Sequence, residues 1–480
     1  MQWQLAIHTQ LDLEANSPKV ITDLTGLLSS AAFLDWISEK KISHAIADST
    51  AALVSFASQS DLLNIFTSKT DIPAFVTNKW QHRTFSWADI PLNGNAQKVF
   101  RNLSLEQLID VLEVVYSTNR HQIVGENDIP VLLKKAEQVK AQKRITGLKE
   151  HITNLLEQPA KVDTLLEVGK RCGELVYLTY KFHQSPSIEM QAGIDDWSAL
   201  FFKTDGLEQA MFASTPKSPK TVDKILPNLI AKQIPKVALV CFDCMGWAEW
   251  SLLKDFLVDE GFSFEEESLL AMMPSVTSIS RSAIFQGNRE VYHLKTPGRT
   301  TEAKSFAAFF DEKHCRYFTE QDNVSTDSLM GYNAVSLLYS FFDDLCHATH
   351  FPPGESTKAP YFEAVQSYLR KSTVKQDLNT LFENGFSIYL CSDHGSIVAT
   401  GNGKRLEKYL IDNFAKRAVM IPAKTAGLIN QETIKIPFVE DKLLALPEGR
   451  TMFANKNQIE VNHGGITVEE MVVPFIIIMK

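Results

Sequence analysis

One threonine and six carboxylate or imidazole groups stand out in this chain of 480 residues, because their types and spacing could support phosphoryl chemistry. Thr277 heads the segment PSVTSISRSAIFQG, Asp243 lies in VCFDCMGW, and Asp343 with His347 lies in SFFDDLCHATH. Asp393 and His394 are adjacent in IYLCSDHGS, and His463 lies in VNHGG. Taken singly, each has a structural reading: Thr277 and Asp243 suit helix caps, and a lone histidine is more often structural than a ligand. Taken together, they offer nitrogen and oxygen ligands for two divalent ions, with positions left open for substrate. Two ions about 3.5–4 Å apart can clamp a phosphoryl group. A threonine hydroxyl bound to one of them is a nucleophile at neutral pH, which the free side chain is not.

The elements that must position these groups can be read from the surrounding pattern. Thr277 opens a helix whose Ile279, Ala283, Ile284 and Phe285 form a buried face, after the charged-then-apolar run EEESLLAMM. A helix start also offers free amides and a positive dipole end to an oxyanion. Asp343 and His347 are four residues apart and so share one helix face, where both can reach one ion, with His350 as a substitute ligand. Gly395 and the two glycines after His463 allow close backbone approach. Strands are expected at Val237–Asp243, Val335–Phe342, Phe386–Cys391, Ala418–Ile421 and Met471–Met479, alternating with helices such as Trp247–Glu260. This texture indicates a mostly parallel sheet covered on both faces, with ligands at the carboxyl ends of the strands.

Before this region, residues 1–95 read as a small α/β unit, with strands at Ile42–Ser49 and Ile72–Asn78 around a helical pattern over Leu53–Phe66. No glycine-rich phosphate loop follows either strand. Residues 96–213 are helical in period, and Lys134, Lys135, Lys140, Lys143, Arg144 and Lys149 crowd one helix, either as a solvated face or as a phosphate-tracking stripe. Residues 214–235, opening with STPKSPKTVDK, read as a linker to a domain over 236–480. A net charge of −9 gives no general attraction to nucleic acid or anionic membrane, and the longest apolar runs are too short for a membrane span. The first residues, MQWQLAIHTQ, lack the features of a secretion signal, and six cysteines in so long a chain suit reduced thiols. The expectation is a cytoplasmic protein.

Residues 236–480 resemble the PglZ domain, a branch of the alkaline phosphatase superfamily. The resemblance rests on VALVCFD, MPSVTSISRSAIFQG, FFDDLCH, CSDHGS and NHGGITVEEMVVP, in that order. The separation of Thr277 from Gly287 is also similar to that in the superfamily's nucleotide phosphodiesterases. The resemblance implies an alkaline-phosphatase-like α/β fold with Asp243, Thr277, Asp393 and His394 around one ion and Asp343, His347 and His463 around the other. It further implies attack by Thr277, a covalent phospho-threonine, and hydrolysis of nucleotide or oligonucleotide phosphodiesters in a bacterial phage-defence or signalling system. Zinc suits three histidines with carboxylates, and manganese suits the same ligands. Residues 1–225 would select substrate, form a homodimer or dock a protein partner of such a system.

The chain departs from the family's common DGMR, with DCMG at 243–246. Cys241 and Cys244 form a lone CxxC, read as one buried strand cysteine and one cysteine at the mouth of the site rather than a zinc ribbon. Arg281, one turn after Thr277, is expected to meet a substrate phosphate or to pair with a carboxylate of the site. Lys404 and Arg405 follow a glycine-rich lip, and Glu469 and Glu470 read as solvated or helix-start charges. Two rivals stand beside the diesterase: a nucleotide-binding sensor or scaffold of low turnover, and a phosphomonoesterase. A sulfatase ranks low, because no Cys or Ser stands in a C/S-x-P-x-R setting.

Overall fold

The computed structural model describes residues 2–14, 17–59, 61–92, 100–118, 126–294, 297–352, 354–404 and 413–480. The chain divides into two units, Met1–Arg144 and Ile145–Lys480.

In the first unit, short β-branched segments build a four-stranded sheet in the order His44–Ala47, Asn64–Thr67, Lys19–Asp23, Gln81–Phe85. Every pairing is parallel. Neighbouring residues alternate between its faces: Ile21, Phe66 and Phe85 enter one apolar cluster, and Val20, Ile65 and Ala47 enter another. The helix expected over Leu53–Phe66 stops at Phe56, and its last residues belong instead to the strand Asn64–Thr67. The expected strand at Ile72–Asn78 is a helical turn, Ala74–Thr77, entered through Pro73, whose fixed φ suits a helix start. The basic residues expected on one helix fall on Ile129–Leu156. Lys134, Lys135, Lys143 and Arg144 are exposed, and Lys140 pairs with Glu106 at 3.1 Å and Asp110 at 2.6 Å.

In the second unit a six-stranded sheet runs Ser263–Leu270, Val472–Met479, Ser387–Ser392, Val237–Phe242, Ala334–Tyr339, Cys315–Thr319. Its four central and far strands are parallel, while Val472–Met479 runs antiparallel to both neighbours. Val237–Phe242 and Ala334–Tyr339 are buried throughout, as a sheet covered on both faces requires. The run EEESLL, read as a prelude to the Thr277 helix, is the edge strand, whose glutamates keep that edge from pairing with other chains. Trp247–Leu257 packs on Val162–Lys181 so closely that a Cβ at Gly173 would lie 2.2 Å from Trp247 Cβ.

Two differences from the sequence reading concern boundaries. The stretch expected as a linker, 214–235, is folded into the second unit: Ser214, Thr221, Val222 and Asp223 are buried, and Lys220 C=O accepts from Leu270 N–H at 2.8 Å. Its polar groups are buried by satisfying one another, with Thr221 and Lys224 donating to Asp223. The strand Ala418–Pro422 belongs to a separate antiparallel sheet with Asn413–Ala415, Val439–Leu446 and Glu432–Ile436, not to the main sheet. A third small sheet joins Thr451–Met452, Ile397–Gly401 and Ile459–Asn462. Among the described residues no helix is long and apolar enough to cross a membrane.

Candidate active site

Three neighbouring strands bring the candidate residues together. Cys241 pairs in register with Cys391, and Phe242 with both Ser392 and Tyr339, so Asp243 and Asp393 leave the sheet side by side. Asp343 was expected to end its strand; it is the third residue of the following helix, Phe341–Ala348, and its i+4 partner His347 lies on the same face. Thr277 is the first residue of the helix Thr277–Gln286, and His463 follows the strand Ile459–Asn462.

Asp243, Asp393 and His394 form one cluster, all buried. Thr277 Oγ1 lies 3.2 Å from Asp243 Oδ1 and 3.1 Å from His394 Nε2. His394 Nε2 is 3.7 Å from Asp243 Oδ1 and 3.6 Å from Asp393 Oδ2. Asp393 Oδ1 accepts the amides of Cys244 and His394, while Asp393 Oδ2 is buried with no hydrogen-bond partner. His394 Nδ1 meets the Gly395 carbonyl at 3.2 Å, which leaves Nε2 as the free lone pair. Burial pushes His394 down to about 4, so its imidazole is neutral at pH 7. Burial, and then the Asp393 charge, raise Asp243 well above the usual carboxylate range.

Asp343, His347 and His463 form the second cluster. Asp343 Oδ1 is 3.2 Å from His463 Nε2 and 3.4 Å from His347 Nε2, and the two Nε2 atoms are 3.3 Å apart. Asp343 Oδ1 is nonetheless buried without a hydrogen bond of ordinary geometry. Burial favours the neutral form of His463, but Asp343 overcomes it and lifts the imidazole to about 9. The same burial works to raise Asp343, and His347 and His463 outweigh it, holding the carboxyl well below its ordinary value. The His394 and His463 rings stack at 4.2 Å, joining the two clusters. Converging oxygen and nitrogen atoms, orphaned carboxylate oxygens and Nδ1 atoms turned to backbone carbonyls form a donor set that fits divalent cations.

The second cluster opens on a groove of about 440 Å³ that Thr277, Ser278, Val276, Met420, Lys416 and Asn462 also line. Thr277 is the residue, among those described, that both lines this groove and hydrogen-bonds to the first cluster. The amides of Thr277 and Ser278 fall in the first turn, where a helix has no carbonyl of its own to offer them.

Several expectations need correction. Arg281 does not line the groove: its guanidinium is buried behind Asp243, pairing with Asp243 and, at 2.9 Å, with Glu302. His350 is exposed, with Nδ1 on the Ala348 carbonyl, and stands outside both clusters. Cys244 is fully buried beside Asp343 and Cys346, not at the mouth of the site. Glu469 and Glu470 are helix-start charges, in the first turn of Val468–Met471, but they are paired and not solvated: Glu470 with buried Arg417 at 2.9 Å and Glu469 with Arg450 at 2.7 Å. Of the lip, Lys404 is exposed and Arg405 lies outside the described residues.

The family model of the BREX system PglZ alkaline phosphatase-like domain matches residues 222–478. The chain belongs to the PglZ family. No curated protein matches it. Solved structures similar to it include the murine ectonucleotide pyrophosphatase/phosphodiesterase 5, at 12% identity and a TM-score of 0.35, covering 50% of this chain and 87% of that one. The human protein of the same name matches at 13% identity and a TM-score of 0.33, with coverage of 50% and 87%. In this PglZ domain the backbone around DCMG shows what the variation changes. Cys244 takes φ 66°, a left-handed conformation that favours the family's usual glycine. A Cβ at Gly246 would meet Glu249 Oε2 at 2.9 Å, so the arginine common at that position would start toward Glu249, whose Oε2 has no partner here. Sequence reasoning missed Glu302, Glu249 and Lys358, buried charges whose partners lie 21 and 109 residues away. No local pattern marks such pairs.

Proposed function

We propose that this protein is a divalent-metal-dependent phosphodiesterase whose nucleophile is Thr277. The observation that carries the reading is the placement of Thr277 Oγ1 within 3.2 Å of Asp243 Oδ1 and 3.1 Å of His394 Nε2 at the edge of the groove. Asp243, Asp393 and His394, with Thr277, would hold one cation, and Asp343, His347 and His463 would hold the other. Zinc suits this set, and manganese fits the same ligands. Bound cations supply positive charge that activates the threonine hydroxyl and offsets charge on the phosphoryl oxygens.

The chain's own groups define the rest. Thr277 Oγ attacks phosphorus, and its proton passes by way of solvent to the leaving oxygen; the new O–P bond forms as the bond to the leaving group breaks, releasing an alcohol. Water then cleaves the phospho-threonine and returns the hydroxyl. The Thr277 and Ser278 amides, at the positive end of their helix dipole, offer donors to non-bridging oxygens. Without a cation, Thr277 Oγ1 donates to Asp243 Oδ1 and lies 3.1 Å from Nε2 of neutral His394, whose lone pair is free for the cation. Arg281 fixes Asp243 from behind, and Glu302 fixes Arg281. Val276, Ala418 and Met420 give the groove an apolar wall against which a nucleotide base of the substrate can lie.

The family's BREX description supports a role in phage defence; our reading sets that role in the cytoplasm, on a nucleotide or oligonucleotide. Residues 1–144 would then serve substrate choice, dimerisation or docking to a protein of that system, ahead of the unit Ile145–Lys480 that carries the site. The test is hydrolysis of an aryl phosphodiester and its monoester counterpart, with added zinc or manganese, by the wild type and by Thr277→Ala. Metal-dependent turnover of the diester that Thr277→Ala abolishes is expected. A preference for the monoester would make it a phosphatase, and failure to cleave either ester while metal binds would favour a sensor.

A further inference from the structure

The second glutamate of VEEM stands outside both ligand clusters, yet its hydrogen bonds reach the turns that carry them. Glu470 is buried in the short helix Val468–Met471. Its carboxylate accepts from the N–H and hydroxyl of Thr467 at 3.3 and 2.8 Å, which closes a capping box and is local helix chemistry. Arg417 neutralises its charge with two further bonds, at 3.1 and 2.9 Å. The remaining donor is the Gly465 N–H at 2.8 Å, two residues after His463.

A capping box has no need of that last contact. The His463 turn is pressed directly onto the ion pair: a Cβ at Gly465 would lie 2.6 Å from Glu470 Oε2 and 2.7 Å from Arg417 Nη2, so only glycine fits. On the other side of the turn, Ser275 Oγ donates to the Gly465 carbonyl at 2.8 Å. The Ser275 carbonyl also faces His463 Nδ1 at 3.3 Å. Gly465 is thus held through both its N–H and its C=O, and His463 presents Nε2 to Asp343 at 3.2 Å.

The main chain of the same glutamate serves the other cluster. Gly395 N–H, next after Asp393 and His394, donates to the Glu470 carbonyl at 3.0 Å. Glu470 therefore joins the first ligand turn through its backbone and the second through its side chain. Two ions that clamp one phosphoryl group must stand about 3.5–4 Å apart, so the relative placement of these turns bears on the chemistry. We propose that Glu470 is a positioning residue that sets the His463 turn, through Gly465, against the Asp393–His394 turn. The inference rests on the two-ion reading of the site. The backbone bond to Gly395 survives any side-chain replacement, so a change at this side chain should act on the second ion alone.

The experiment titrates manganese(II) into the full chain by calorimetry, with Asp393→Asn and Asp343→Asn marking the first and second sites. Two sites are expected in the wild type. Glu470→Gln should weaken the second about 10- to 100-fold, as loss of a group that orients a ligand does, and leave the first unchanged. Ser275→Ala removes the other hold on Gly465 without burying a lone charge, and should weaken the second site about fivefold. It decides the matter if Glu470→Gln does not fold. Equal weakening of both sites, as an ion pair that merely stabilises the fold would give, would overturn the proposal. So would a second site unmoved in either folded variant, and both results would leave the two-ion reading standing. Fewer than two manganese sites in the wild type would overturn that reading and the proposal together.

Discussion

Replacing Arg281 with methionine separates two roles for that residue. Its guanidinium is 8% exposed, between the Asp243 carboxylate at 6% and the Glu302 carboxylate at 3%. Removing it leaves Glu302 with the Tyr317 hydroxyl at 2.8 Å and Asp243 with the Thr277 hydroxyl at 3.2 Å, neither of them a countercharge. Breaking a buried ion pair by deleting one member costs about 3–5 kcal/mol. At roughly 2 °C per kcal/mol for a domain of this size, metal-free Arg281→Met should melt about 6–10 °C below the wild type. Burial already raises Asp243, so protonation relieves part of the cost, and the deficit should be smaller at pH 5 than at pH 8. Added zinc or manganese should narrow the gap by giving Asp243 another countercharge, while Glu302 stays unpaired. The assay is thermal unfolding with and without metal, beside KM and kcat for an aryl diester. A metal-free melting point within 2 °C of the wild type, together with a large rise in KM alone, would refute this reasoning and return Arg281 to the substrate.

Two further predictions concern the clusters. Because His463 in the metal-free protein is held up to about 9, and Asp343 raises His347 as well, cation binding at pH 7 should release at least about one proton from this cluster, whereas neutral His394 should release none. Calorimetry in buffers of different ionisation enthalpy reads that proton, and its absence would contradict the Asp343–His463 pairing. The sign for stability follows: His463 stabilises the metal-free fold below its unfolded value near 6.5, and this contribution is lost as pH rises through about 9. Gly395→Ala should cost metal affinity and stability together, because its Cβ would lie 2.0 Å from the Glu469 carbonyl and force the Asp393–His394 turn outward; a variant that binds metal and melts like the wild type would remove the need for glycine there.

Much of the site was legible because strand ends and turns are local. The apolar run VALVCF before Asp243, the four-residue step from Asp343 to His347 and the glycine after His394 each specify a position without reference to the rest of the chain. What was not legible depends on distant partners. Arg281 is the same arginine whether it faces a phosphate or a carboxylate, and only the fold brings Glu302 to its back. Glu470 was legible as a helix-start charge, but its ion pair was not, because nothing near it announces Arg417, 53 residues earlier. Polar residues of the supposed linker were misleading for the same reason, since Ser214, Thr221 and Asp223 satisfy one another when buried. In the first unit, strands of four or five residues such as Asn64–Thr67 carry too little periodicity to interrupt a helical reading.

The groove draws its walls from different sheets. Thr277 and the turns bearing Asp243 and Asp393 are fixed to the six-stranded sheet, whereas Ala418 and Met420 come from the antiparallel sheet that includes Ala418–Pro422 and Val439–Leu446. On the proposed phosphodiesterase reading, substitutions at Ala418 and Met420 should change what the groove admits while leaving in place the strand ends that carry Asp243 and Asp393, so related chains could diverge in substrate while keeping one chemistry.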